Sequence, residues 1–154
     1  MPSEVIRVRT LLGTLMRSRS RSYQELILLP TLQERFAYLQ LGGGVGHATF
    51  GYERWLNQDF YRSREWKTAR RDAIVRDLGR DLAVEGYDVH DRVFVHHMNP
   101  MTIEMIEEGH DDLVNLDNLI TTSHRTHNAI HYGDESQLPR VFVPRSAGDH
   151  IPWR

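Results

Sequence analysis

Six of the nine histidines fall between His96 and His131, and their spacing limits what this stretch can fold into more than any other feature does. His127 and His131 stand four residues apart in a segment that Ser123 can cap and Gly133 can stop, so they share one face of a helix predicted to run to about Tyr132. His96 and His97 end a strand predicted over 93–96, where Phe94 and Val95 supply β-propensity, and Pro100 then bends the chain. A second strand is expected over Leu119 to Thr122. The long loop before it carries a short helix from Thr102 to Glu108, ended by Gly109. The order is strand, loop, strand, helix. With the helices expected upstream, this reads as an α+β fold.

Two imidazoles one turn apart can grip one ion, and imidazole suits Zn²⁺, Ni²⁺ or Mn²⁺. Two ligands are too few for a tight site, so a third must come from elsewhere. Alternation along the strand sends His96 and His97 to opposite sides, so that one can bind the ion while the other acts on a water beside it. A neutral imidazole suits that second task because its pKa lies near neutrality. His124, about one turn before His127, is a weaker ligand candidate. The chain has no cysteine, which removes disulfides, Cys-based zinc ribbons and a thiol nucleophile. It has no run of 18 or more apolar residues, and Arg7 and Arg9 are not followed by the apolar segment of a secretory signal. No membrane association and a cytoplasmic location are therefore expected.

The net charge of −2 hides an asymmetry: residues 1–80 hold 14 Lys/Arg against 8 Asp/Glu, and residues 81–154 hold 5 against 13. A basic half suits a polyanion. It is concentrated on the strongest helix signal, Ser63 to Asp77. There Trp66, Ala69, Ala73 and Ile74 share one face, and Arg62, Arg64, Lys67, Arg70, Arg71 and Arg76 cover the remainder. Such a face either lies along a phosphate backbone or is simply solvated. Residues 1–22, with Arg17, Arg19 and Arg21 alternating with serines, read as a flexible basic arm with a short helix over 4–16. Thr31 to Leu41 reads as a helix opened by a Thr31–Glu34 capping box. The glycines at 42–44 and 46 end it. They do not form a phosphate loop, because no strand precedes them and no Gly-Lys-Ser/Thr follows. Pro139, Pro144 and Pro152 make residues 137–154 an irregular tail.

Three stretches together carry a family resemblance: Val95-His96-His97-Met98-Asn99-Pro100, Leu116-Asp117-Asn118-Leu119-Ile120 and His127-Asn128-Ala129-Ile130-His131. In order and spacing they resemble the HNH (ββα-metal) nuclease motif, and Phe60 to Lys67 is similar to the lead-in common in these enzymes. Tyr23-Gln24-Glu25-Leu26, Glu34-Arg35-Phe36, Thr49-Phe50-Gly51, Leu56-Asn57-Gln58 and the ending Gly148-Asp149-His150-Ile151-Pro152-Trp153 resemble HNH proteins encoded by tailed bacteriophages and prophages. The likeness covers most of residues 22–154. It implies a ββα-metal finger with flanking helices: a nuclease domain over 60–136, preceded by a helical extension over 23–59. Many such proteins carry cysteine pairs around the finger. Here Ser123 and Thr126 stand where one pair would be, so the finger must be held by packing, with Trp66, Phe94, Leu116 and Ile120 the expected contributors.

The resemblance implies one divalent ion (Mg, Mn, Ni or Zn) held by His96, His127 and His131, with His97 as the base and Asn118 tying the loop to the strand so that His97 stays oriented. Arg62, Arg64, Lys67, Arg70, Arg71 and Arg125 are the candidate DNA contacts, and His124 could join Arg125 on phosphate. DNA is the implied substrate, phage terminase or portal proteins are the implied partners, and the bacterial host cytoplasm is the implied place. A non-catalytic DNA-binding metal finger and a packaging-motor accessory protein are the alternatives.

Overall fold

The computed structural model describes residues 20–41 and 54–141. The expected helix over 4–16, the glycine run, Thr49-Phe50-Gly51 and the tail beyond residue 141 lie outside these bounds. Among the described residues, strands β1 (Val93–His97) and β2 (Leu119–Ser123) form an antiparallel pair, with Val93 opposite Ser123 and His97 opposite Leu119. Four of the described helices precede them: α1 (Tyr23–Leu26), α2 (Leu32–Leu39), α3 (Arg54–Arg62) and α4 (Arg64–Arg76). Helix α5 (Ile103–Glu108) lies in the loop between the strands, and α6 (His124–Tyr132) follows β2 directly. Ser123 both ends β2 and caps α6, its side chain accepting from the Thr126 amide. Gly133 closes α6 in the left-handed region at φ 65°, where a side chain would be strained. The mix of helices with a small antiparallel sheet is the expected α+β class.

The two faces of the sheet meet different partners. Phe94, His96, Ile120 and Thr122 share one face, and the Phe94 ring lies against His124 and His127 of α6. Val95, His97, Leu119 and Thr121 share the other, where Leu119 packs with Trp66, Ala69 and Ala73 of α4. On the α6 side, Ile120, Ala129, Ile130 and Met98 form one cluster with Leu26, Phe36, Tyr38, Leu39 and Leu41. The N-terminal helices and the strand–loop–strand–helix segment therefore share a core. Residues 20–22, expected to belong to a flexible arm, are pinned. The Arg21 main chain and side chain bond to Asn99, Tyr38, Gln40 and Met98, because a half-buried segment must find partners for its polar groups.

The outer edge of β2 is sealed by carboxylates. The Thr121 amide donates to Asp77 (2.8 Å), the Ser123 amide to Asp81 (2.9 Å), and Leu82 donates to the Thr121 carbonyl (3.0 Å). Asp81 also accepts from the amides of Ala83 and Val84. Arg76 links Asp77 to the carbonyls of Leu116 and Leu119 and lies 3.7 Å from the Tyr23 ring centroid. All five β2 residues are buried, so edge groups that water cannot reach need acceptors from the protein. Of the four side chains expected to hold this region, Trp66 and Ile120 are buried and Phe94 is half-buried. Leu116 is 37 % exposed and contributes its carbonyl rather than its side chain. No helix among the described residues is long and apolar enough to cross a membrane.

Candidate metal centre

β1 and α6 bring three imidazoles to one point. The ligand atoms of His96, His127 and His131 all lie within 4.8 Å of one another, and the ring centroids are 5.4, 5.0 and 4.4 Å apart. A tetrahedral ion at about 2.1 Å from each nitrogen needs those atoms about 3.4 Å apart, so side-chain rotation of roughly an ångström closes the cradle. His96 is 2 % exposed, and its Nε2 is buried without a hydrogen-bond partner. A buried polar nitrogen left unsatisfied is costly, and a cation in the cradle removes that cost. Burial first, and then the neighbouring His127 and His131, push His96 well below its ordinary pKa. Burial, with His131 and His124 next, lowers His127 to about 4, and burial lowers His131. All three are therefore neutral near pH 7, the form that binds metal.

His97 points to the other face, as alternation requires. Its ring stacks on Trp66 at 5.1 Å and 20°, with Phe60 at 6.2 Å. Its Nε2 lies 2.8 Å from the Leu113 carbonyl, which can only accept, so Nε2 carries the proton and Nδ1 is the basic atom. Burial lowers His97 to about 4, opposed by the bond to Leu113. Asn118 fixes the loop that supplies that carbonyl. Its Nδ2 donates to the Asp112 carbonyl (3.0 Å), and its Oδ1 accepts from the main-chain and side-chain nitrogens of Asn99 (3.0 and 2.7 Å).

Four participants were not foreseen as part of the site. Trp66 is expected on a helix face and among the side chains that hold this region by packing, but not as the ring that stacks on His97. The Leu113 carbonyl has no side-chain signature. Asn99, directly after the histidine pair, clasps the Arg21 main chain on both sides, accepting from its amide at 2.7 Å and donating to its carbonyl at 2.8 Å. Arg21 itself stands 78 residues away in sequence.

The candidate DNA contacts are dispersed. Arg62, Arg64, Lys67, Arg70 and Arg71 are exposed at the end of α3 and along α4, on the His97 side of the sheet. Arg70 reaches the Val93 carbonyl at 3.0 Å, and Arg71 pairs with Asp72 at 2.9 Å. Arg76 is committed to internal bonds. Arg125 donates to the Gln137 carbonyl at 3.2 Å. His124 lies outside the ligating group, exposed at the start of α6. No family model, curated protein or solved structure matches the chain.

Proposed function

We propose that the chain is an HNH endonuclease, hydrolysing DNA phosphodiester bonds at a ββα-metal finger formed by β1, β2 and α6. One observation carries the reading: His96, His127 and His131 converge on one point with a buried, unsatisfied nitrogen among them, while the next residue along β1 is an imidazole of fixed tautomer. A divalent ion held by the three would polarise the scissile phosphate and stabilise the departing oxygen, help worth several kcal/mol. The three-imidazole set has no carboxylate and favours Zn²⁺ or Ni²⁺ over Mg²⁺.

The chain's own residues supply the rest. His97 takes a proton from water at Nδ1, a step typically worth about 10²–10⁴-fold. The Leu113 carbonyl holds the ring in the tautomer that leaves Nδ1 free to accept, and Trp66 fixes its plane. Asn118 keeps Leu113 in place through the neighbouring Asp112 carbonyl. The exposed cations of α4 hold the polyanion. Phage DNA processing or packaging in a bacterial host, with terminase or portal partners, belongs to the same proposal.

A second reading is a non-catalytic DNA-binding metal finger. It draws on one observation: His97 is only 7 % exposed, beneath Trp66 and Phe60. Plasmid nicking with Ni²⁺, Mn²⁺ or Mg²⁺ and an EDTA control separates the two. The nuclease reading requires metal-dependent nicking by wild type and its loss in His97→Ala with metal affinity kept. DNA binding without nicking under any ion favours the second reading.

A further inference from the structure

His124 is an exposed imidazole on α6 that the three-histidine cradle does not use. It opens α6, three residues before His127, a spacing that puts side chains about 5–6 Å apart on one helix face. Its ring rests against Phe94 at 5.1 Å, and the same Phe94 ring also meets His127 at 5.2 Å. Phe94 thus holds the two imidazoles in a fixed relation. The Asn128 amide lies 3.4 Å from His124 Nε2. With that amide donating, Nε2 is the acceptor and Nδ1–H is left as a donor. The closeness of the two histidines is felt electrically, since His124 helps lower the pKa of His127. Arg125, its neighbour in sequence, donates to the Gln137 carbonyl. His124 therefore offers a ring N–H donor one helical turn from His127, at the positive end of a nine-residue helix.

We propose that His124, steadied by Phe94 and Asn128, is the subsite for the phosphate next to the scissile one. This rests on the nuclease reading and deepens it: the centre acts on a strand with consecutive phosphates, and discriminates against an isolated phosphodiester. An N–H donor one helical turn from the cradle cannot reach an ion held there, but it can reach the next anionic group along a chain. A phosphate oxygen accepting from Nδ1–H makes a charge-assisted bond, which is stronger than a neutral one.

The test compares two substrates with Zn²⁺- or Ni²⁺-loaded full-length protein: a short DNA oligonucleotide and a diaryl phosphate diester that has one phosphate only. The ratio of their kcat/KM values should fall about tenfold in His124→Ala, equivalent to about 1.4 kcal/mol. His124→Gln, which keeps a donor, should restore most of the preference. Zinc titration of His124→Ala should give wild-type affinity, which also reports that α6 is intact. An unchanged ratio, or loss of zinc binding in His124→Ala, overturns the subsite. If wild type cleaves neither substrate, the nuclease reading fails by itself. Fluorescence anisotropy of the same oligonucleotide then decides the subsite: weaker binding by His124→Ala supports it, and equal binding overturns it.

Discussion

Asp81→Ala should loosen the strand–loop–strand–helix segment and the three-histidine group together. The Asp81 carboxylate accepts from the amides of Ser123, Ala83 and Val84, and the residue is almost wholly buried. Removing it leaves three donors without acceptors, at about 1–3 kcal/mol for each buried group. Part of that loss is offset, because burial pushes the Asp81 carboxyl pKa up against the hydrogen bonds from Thr126, Ser123 and Ala83, and the variant no longer desolvates a carboxylate. The expected net loss is about 3 kcal/mol, a large share of the roughly 5–15 kcal/mol that holds a domain together. For a chain of this size it lowers Tm by about 6–12 °C. Ser123 is also the cap that aims α6, so His127 and His131 should drift and zinc affinity should weaken by about tenfold or more. Urea unfolding followed by circular dichroism reads the first effect, and calorimetric zinc titration reads the second. Asp81→Asn, which keeps one acceptor oxygen, should fall between the variant and wild type. A stability change below about 0.5 kcal/mol in Asp81→Ala would show that the β2 edge does not depend on this carboxylate, and the reasoning fails.

Three further outcomes are expected. His97 is neutral when folded down to about pH 4, whereas the unfolded chain takes up its proton near 6.5. Stability of the metal-free protein is therefore fully present above about pH 6.5 and is lost as pH falls toward 4, by up to about 3 kcal/mol from this group; flat urea midpoints across that window would refute it. Zn²⁺ at about 100 times its Kd should stabilise wild type by about 2.7 kcal/mol, with Mg²⁺ at equal concentration giving no shift and His131→Ala losing the zinc effect. Replacing Arg64 and Lys67 together with alanine should reduce the slope of log affinity for duplex DNA against log salt by about 2, and an unchanged slope removes them from the contact surface.

The elements nearest the centre were legible because their signals are local. Ser123 and Gly133 bracket α6, Thr31 and Glu34 open α2 with both halves of a capping box, and Phe94-Val95 marks β1; each element lies within a residue or two of its expected bounds. Strand alternation alone sends His96 and His97 to opposite faces, as they are found. What the sequence did not reveal are polar pairings between distant positions. Asp77 and Asp81 meet β2 across 44 and 42 residues, and Arg21 meets Asn99 across 78. A carboxylate that will accept a remote amide reads, on its own, as one more surface charge. Helix α3 had no expected bounds of its own, although the helical extension expected over 23–59 covers most of it, and Ser63 then separates it from α4 as the extended N-cap.

The shared core has a consequence for where this protein can be divided. Cutting it at residue 60, the boundary suggested by motif resemblance, would strip Leu26, Phe36, Leu39 and Leu41 from Met98, Ile120, Ala129 and Ile130 and leave that apolar surface bare. Residues 20–41 therefore belong with the strand–loop–strand–helix segment as one unit. A genetic fusion or transplant that preserves the histidine cradle has to carry both.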